Sequence, residues 1–211
     1  MTEKAILPIN NARITAGYKN AAYRQKMGFQ HFGTDMADLN RKDFAVFAPF
    51  KMKVVAVGND TLMGGSLIAV SVNPIDIHNG PRKGARRRLT VRMAHLAKTY
   101  VKVGDVVEPE GNKIADYGST GKYGGSPHLH IELDTDVNHP TFSPTLSRSS
   151  NIWKAGADST VNPMDVFKVD ADGQRGLKQT LTHSKASGNW VQPEDKTTLG
   201  LNGKVIKAKG V

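Results

Sequence analysis

The chain has 211 residues, 38% of them hydrophobic, which is room for one compact domain with extensions and makes a second full domain a tight fit. Charged residues at 23% argue against wholesale disorder, and the absence of cysteine excludes disulfides and thiolate metal sites, so any metal must sit on His, Asp or Glu. The formal net charge of +10 favours anionic partners: nucleic acid, anionic lipid or an acidic cell-wall polymer.

No apolar run approaches the ~18–20 residues that a membrane-spanning helix needs. The start, MTEKAILPINNARI, lacks the charged-then-apolar layout of a signal peptide, so the expectation is a protein made in the cytoplasm without an export signal of its own. Helical periodicity is scarce and short apolar runs bounded by Gly, Asn and Pro dominate. In chain order the predicted strands are Ala45–Ala48, Lys51–Asn59, Ser66–Val72, Leu89–His95, Val106–Val107, Lys113–Tyr117 and Leu129–Leu133. This spacing predicts a mainly β protein, an antiparallel sheet or open barrel, with few short helices, one of them near Pro163–Phe167. Asn59 to Gly65 reads as a hairpin connection and Asn73 to Arg88 as a longer one.

Within the latter, residues 82–92 (RKGARRRLTVR) carry six basic groups and no acid. They read either as a solvated loop or hairpin tip or as an anion-binding patch. No aromatic residues interleave with these charges as stacking platforms for nucleic acid would. From about Asp170 the composition turns polar and rich in Gly and Lys, which predicts an extension of unknown role, too short for an independent domain.

The segment Ser126-Pro127-His128-Leu129-His130-Ile131-Glu132-Leu133 concentrates chemistry. Side chains alternate along a strand, so His128, His130 and Glu132 share one face while Leu129, Ile131 and Leu133 share the other. Two His at i and i+2 can serve one metal site, either as two ligands or as a ligand and an acid/base. In Phe29-Gln30-His31-Phe32-Gly33-Thr34-Asp35, the two glycines Gly28 and Gly33 argue against a helix; a turn leading into a strand brings His31 and Asp35 to one point. His31, Asp35 and one of the paired histidines supply the three N/O ligands of a catalytic zinc, which keeps a fourth position for water. His95 ends an apolar strand; taken alone it is more often a structural histidine.

These segments together, HFGTD (31–35), AHL (94–96), GSTG (118–121) and PHLHIE (127–132), resemble the lysostaphin-type zinc metallopeptidases of peptidoglycan. ITAGY (14–18), VFAPFKMKVVAVGN (46–59), VKVGDVVEPEGNKIADYGSTG (101–121) and NPMDVF (162–167) are similar to the family's flanking segments, so the resemblance covers roughly residues 13–167. It implies a metallopeptidase domain over 13–167, an N-terminal extension 1–12 and a C-terminal extension 168–211. It implies a β fold of the duplicated-hybrid-motif kind with a substrate groove. It implies one Zn²⁺ per chain on His31, Asp35 and His130, with His95 and His128 as acid/base and polarising groups. Glu132 is either a partner that orients an imidazole or a surface carboxylate. Where the family often has Tyr two residues before the His of AHL, this chain has Met93; Tyr18 and Tyr23 are candidates for a further family tyrosine.

The implied activity is hydrolysis of stem or cross-bridge peptides of bacterial peptidoglycan, with residues 82–92 meeting the anionic wall. Gly–Gly and D-Ala–diaminopimelate bonds both stay open, with a lean to the latter because no bridge-binding domain is evident. A short, basic, signal-free lytic enzyme fits a bacteriophage lysin acting at the cell wall. The alternatives are a catalytically silent wall-binding or regulatory module of the same fold, and a nucleic-acid-binding protein, which would leave the histidine pattern unexplained.

Overall fold

The computed structural model describes residues 5–10, 12–109, 111–141, 158–167, 197–199 and 205–207. The strands that place the histidines lie in the middle of one antiparallel sheet. In chain order its strands are β1 (Ala12–Ala16), β2 (Gly33–Asp38), β3 (Ala45–Val46), β4 (Met52–Asp60), β5 (Gly64–Ser71), β8 (Thr90–Thr99), β9 (Val106–Val107), β10 (Ala115–Tyr117), β11 (Leu129–Asp134), β12 (Thr160–Val161), β13 (Thr197–Leu199) and β14 (Val205–Lys207). The long path runs β14-β13-β1-β2-β11-β8-β5-β4-β9, with β3, β10 and β12 attached at its sides. The fold is therefore mainly β, as the spacing predicts. The expected strand 45–48 shrinks to two residues, and 89–95 extends to Thr99.

One face of the sheet is apolar. Ile14, Met36, Leu67, Val91, Met93, Leu129, Ile131 and Leu133 join one core cluster, and Ala5, Leu7 and Ile9 pack into it from the N-terminal segment. Met93, the departure from the family pattern, is thus core. The other face carries the polar row predicted for PHLHIE. His130 pairs with Asp35 of β2 and Ala94 of β8, and Glu132 pairs with Gly33 and Arg92.

The connection expected between Asn73 and Arg88 contains its own ribbon, β6 (Ile75–Asp76) with β7 (Arg86–Arg87), and a 3-10 turn at Gly80–Arg82. Its basic groups divide. Arg92 is buried and ion-paired to Asp134 at 3.1 Å, while Arg82 donates to the Thr160 and Asp158 carbonyls and Arg88 to the Ser71 carbonyl. Lys83, Arg86 and Arg87 remain exposed; Arg86 pairs with Asp76 at 3.7 Å and Arg87 donates to the Arg86 carbonyl at 3.2 Å. The outward charge is smaller than the six-residue count suggests.

Two helices occur among the described residues. α2 (Pro163–Val166) starts with Pro after the Asn162 cap, where the sequence places it. α1 (Ala21–Met27) has no counterpart among the predicted elements. Asn20 caps it by accepting from the Tyr23 amide at 2.8 Å, and Gly28, at φ 78°, closes it in the left-handed conformation. At seven residues with none buried, it leaves no periodic apolar stripe to read. Of the C-terminal extension, β13 and β14 prolong the sheet beyond β1; the rest lies outside the described residues.

A candidate metal centre

His31 stands just before β2 and is fully buried. Its Nδ1–H donates to the Gly17 carbonyl at 2.8 Å, and Tyr23 of α1 stacks on its ring, centroids 4.3 Å apart and planes 17° off parallel. On β11, His130 Nε2–H donates to Glu132 Oε1 at 3.2 Å. These outer bonds assign the protons, so His31 Nε2 and His130 Nδ1 both present lone pairs inward. The two nitrogens are 3.0 Å apart, and Asp35 Oδ1 lies 3.1 Å from the first and 2.8 Å from the second.

Three buried acceptors facing one another repel unless a cation sits among them. The same demand shows in the titration. Burial disfavours the His130 imidazolium, yet the Asp35 and Glu132 carboxylates push its pKa up to about 10. Burial would raise the Asp35 carboxyl, but the neighbouring His31, His128 and His130 rings hold it well below the usual range. All three ligand atoms lie within 4.8 Å of one another. A tetrahedral ion with bonds of 2.0–2.1 Å keeps its ligand atoms about 3.3 Å apart, so small outward shifts accommodate it. The His/His/Asp donor set suits zinc among biological metals.

Behind the ligands, Glu132 Oε2 lies 3.8 Å from Arg92 Nη1, and Arg92 also donates to Asp134 and to the carbonyls of Pro140 and His139. The Glu132 carboxylate is therefore buried and held, not a surface group. Gly33 is required here: a Cβ on it would fall 2.6 Å from His130 Cε1 and 2.7 Å from the Ile131 carbonyl oxygen.

His95 arrives by a bulge. Between β5 and β8, Leu67 pairs with Met93 and Gly65 with Leu96, so Ala94 and His95 together oppose one residue, and His95 sits at φ 61°. Met93 and Leu96 both stay in the core, and His95 is freed from simple alternation. Left-handed backbone at a histidine is strained by about 1 kcal/mol or more. The GSTG loop holds it there. Thr120 accepts the His95 Nδ1–H on its carbonyl at 2.9 Å, while its hydroxyl bridges the Leu96 carbonyl and the Gly65 amide. The outer bond leaves Nε2 as the ring's acceptor. Burial, then His130 and His128, push the His95 pKa down to about 4, so the ring is neutral at neutral pH.

His128 is half-buried. Its Nδ1–H donates to the Ser126 carbonyl at 2.7 Å, and its Nε2 lies 3.7 Å from Asp35 Oδ2. The rings of His95 and His128 are 4.7 Å apart. All five predicted site histidines and carboxylates thus meet in one place. A cleft of about 590 Å³ opens beside Asp35 and His128. Tyr23 borders it, as does Tyr123, which the sequence reading did not single out; Tyr18 instead bonds Thr160 at 2.7 Å.

The model of Peptidase family M23 matches residues 29–141, which hold all of these groups. The chain belongs to peptidase family M23. Among solved structures, this M23 chain is similar to the SpoIIQ–SpoIIIAH pore forming complex (TM-score 0.52, 17% identity, 79% of this chain and 92% of that one). It is similar to lysostaphin of Staphylococcus simulans (TM-score 0.51, 22% identity, 92% and 65%). It also matches a zinc containing peptidase from Vibrio cholerae (TM-score 0.46, 28% identity, 62% and 37%). The first two likenesses establish the fold. The chain spans 37% of the Vibrio cholerae peptidase and 65% of lysostaphin. No curated protein sequence matches it significantly.

Proposed function

We propose that this M23 chain is a zinc-dependent endopeptidase that hydrolyses stem or cross-bridge peptides of bacterial peptidoglycan, acting at the cell wall. The observation that carries the reading is the convergence of His31 Nε2, Asp35 Oδ1 and His130 Nδ1, all lone-pair donors, beside two further histidines in an open cleft. Zinc on these three atoms would lower the pKa of a bound water towards ~7 and polarise the scissile carbonyl.

His95 and His128 supply the proton chemistry. With Nδ1–H committed to Thr120, neutral His95 offers Nε2 to take a proton from the attacking water. The same nitrogen can then return that proton to the leaving amine. His128, half-buried with its Nδ1–H held by Ser126 and its Nε2 3.7 Å from Asp35 Oδ2, is placed as the second acid/base group of the cleft. Glu132 keeps the His130 proton on Nε2, and Tyr23 keeps the His31 ring in plane. An extended peptide suits the cleft, and the exposed Lys83, Arg86 and Arg87 suit an anionic wall.

Elemental analysis of the purified protein tests the metal assignment. The reading expects one zinc per chain, lost in His31→Ala and Asp35→Ala but kept in His128→Ala. Full zinc in His31→Ala would refute the ligand set.

A further inference from the structure

The turn that leads from β1 to α1 holds His31 from behind, and it carries a residue that its backbone disfavours. Gly17, Tyr18, Lys19 and Asn20 form the turn, with the Asn20 amide donating to the Gly17 carbonyl at 3.3 Å. That carbonyl also accepts the His31 Nδ1–H at 2.8 Å, and the Lys19 amide donates to the His31 carbonyl at 2.6 Å. Asn20 caps α1, from which Tyr23 stacks on the His31 ring. The third position of the turn, Lys19, sits at φ 52°. Glycine or asparagine normally takes such a place, because a Cβ crowds the left-handed backbone. A lysine there is strained, and strain of this kind persists only where the surroundings impose it.

The surroundings are specific. Lys19 Nζ donates to Asp158 Oδ2 and lies over the Tyr18 and Phe32 rings, 5.0 and 5.7 Å from their centroids. Burial opposes the Lys19 ammonium, but Asp158 and then Tyr18 raise its pKa overall. Asp158 is itself fixed, since its Oδ1 accepts the Thr160 amide at 3.0 Å and the Thr160 hydroxyl. That hydroxyl in turn accepts from the Tyr18 hydroxyl at 2.7 Å. Arg82 donates to the carbonyls of Asp158 and Thr160. Thr160 begins β12, which pairs with β11, the strand of His130. The turn behind one metal ligand is therefore tied, side chain by side chain, to the strand pair that carries another.

We propose that Lys19 is a positioning residue of the metal centre: gripped by Asp158, it holds the turn in the strained form that sets the Gly17 carbonyl against His31 Nδ1, so that Nε2 presents its lone pair inward. The proposal rests on the assignment of His31 as a metal ligand. Neither Lys19 nor Asp158 belongs to the ligand group or lines the cleft beside it, so both act through the turn. A histidine ligand depends on the partner of its other ring nitrogen. Here that partner is a backbone carbonyl, which only the conformation of the turn can aim. The ion pair is partly exposed, so its effect belongs at the lower end of the range for such outer partners.

The test compares Lys19→Gly, Lys19→Arg and Asp158→Asn with the native full chain. Zinc affinity is read by competition with a chromophoric chelator. Protection of the His31 Nδ1–H is read by hydrogen exchange in NMR spectra of the metal-free chain. Lys19→Gly removes the ammonium and the backbone strain together, so its metal-free melting temperature should stay close to native. Its zinc affinity should nevertheless drop by about threefold to tenfold, and its Nδ1–H should exchange faster by a similar factor. Asp158→Asn should show the same losses, and the double variant no more than either single one, because one ion pair is removed in each. Lys19→Arg keeps a cation for Asp158 and should stay within about twofold of native. Native affinity and native Nδ1–H protection in Lys19→Gly and Asp158→Asn overturn the proposal and leave the metal ligands standing. A fall in zinc affinity matched by an equal loss of metal-free stability, with the Nδ1–H still protected, makes the ion pair merely structural and also overturns it. A native chain that binds no zinc refutes the metal reading, and the Nδ1–H exchange then decides separately whether Lys19 and Asp158 hold His31.

Discussion

Removing the Glu132 carboxylate should loosen the metal without touching a metal ligand. Glu132 Oε1 accepts the His130 Nε2–H at 3.2 Å, and that bond keeps the Nδ1 lone pair aimed at Asp35 and His31. In Glu132→Ala the imidazole loses its acceptor, and its proton can move to Nδ1, where it blocks the site. Loss of such a supporting partner typically lowers metal affinity 10–100-fold, about 1.4–2.8 kcal/mol. Glu132→Gln keeps an oxygen acceptor but loses the charge, which removes about 1 kcal/mol of the bond, or roughly fivefold in affinity. The expected order of zinc affinity is native, then Gln, then Ala, read by competition with a chromophoric chelator. The metal-free melting temperature of each protein is the control, because Glu132 also lies 3.8 Å from Arg92, which pairs with Asp134 at 3.1 Å as well. A Glu132→Ala protein that folds normally and binds zinc within twofold of native would refute the orienting role.

Gly33→Ala drives a methyl into His130 Cε1 and the Ile131 carbonyl, both under 3.0 Å away, so β11 must shift. Zinc affinity should fall along with stability, by about 1–3 kcal/mol in denaturant unfolding; a native-like variant would contradict the packing. His95→Ala should keep one zinc per chain while peptide hydrolysis drops by roughly 10²–10⁴-fold, and loss of zinc instead would make His95 a ligand. Asp165 of α2 has its pKa raised to about 6 by burial. The folded carboxyl binds its proton more tightly than the unfolded one, so this group's contribution to stability is present at acid pH and is lost as pH rises from about 4 to 6. Asp165→Asn should therefore flatten that part of the stability–pH curve and be relatively more stable above pH 6, by up to about 3 kcal/mol; an unchanged curve would show that burial does not hold the proton.

The parts of the site that obey simple periodicity were legible in the sequence. PHLHIE alternates, so its histidines and glutamate share a face whatever the sheet around them, and the strand β11 realises that face. The turn before β2 brings His31 to Asp35 as the glycines around it suggest. Other parts depend on contacts that period and composition do not carry. Simple alternation puts His95 on the same side as Met93, and only the bulge against Gly65 and the left-handed φ separate them. The run 82–92 looks like a charged surface, but Arg92 is drawn inward by Asp134, 42 residues away. α1 is signalled only by its caps, Asn20 and Gly28.

Digestion of purified peptidoglycan, with fragments identified by mass spectrometry, tests the endopeptidase reading most directly. The comparison is native protein, chelated protein, chelated protein with zinc restored, and His130→Ala. The account predicts peptide cross-links cut only when zinc and His130 are both present, with glycan strands intact. Cleavage that persists in the chelated protein or in His130→Ala, or no cleavage of any wall by the zinc-loaded native chain, would contradict it.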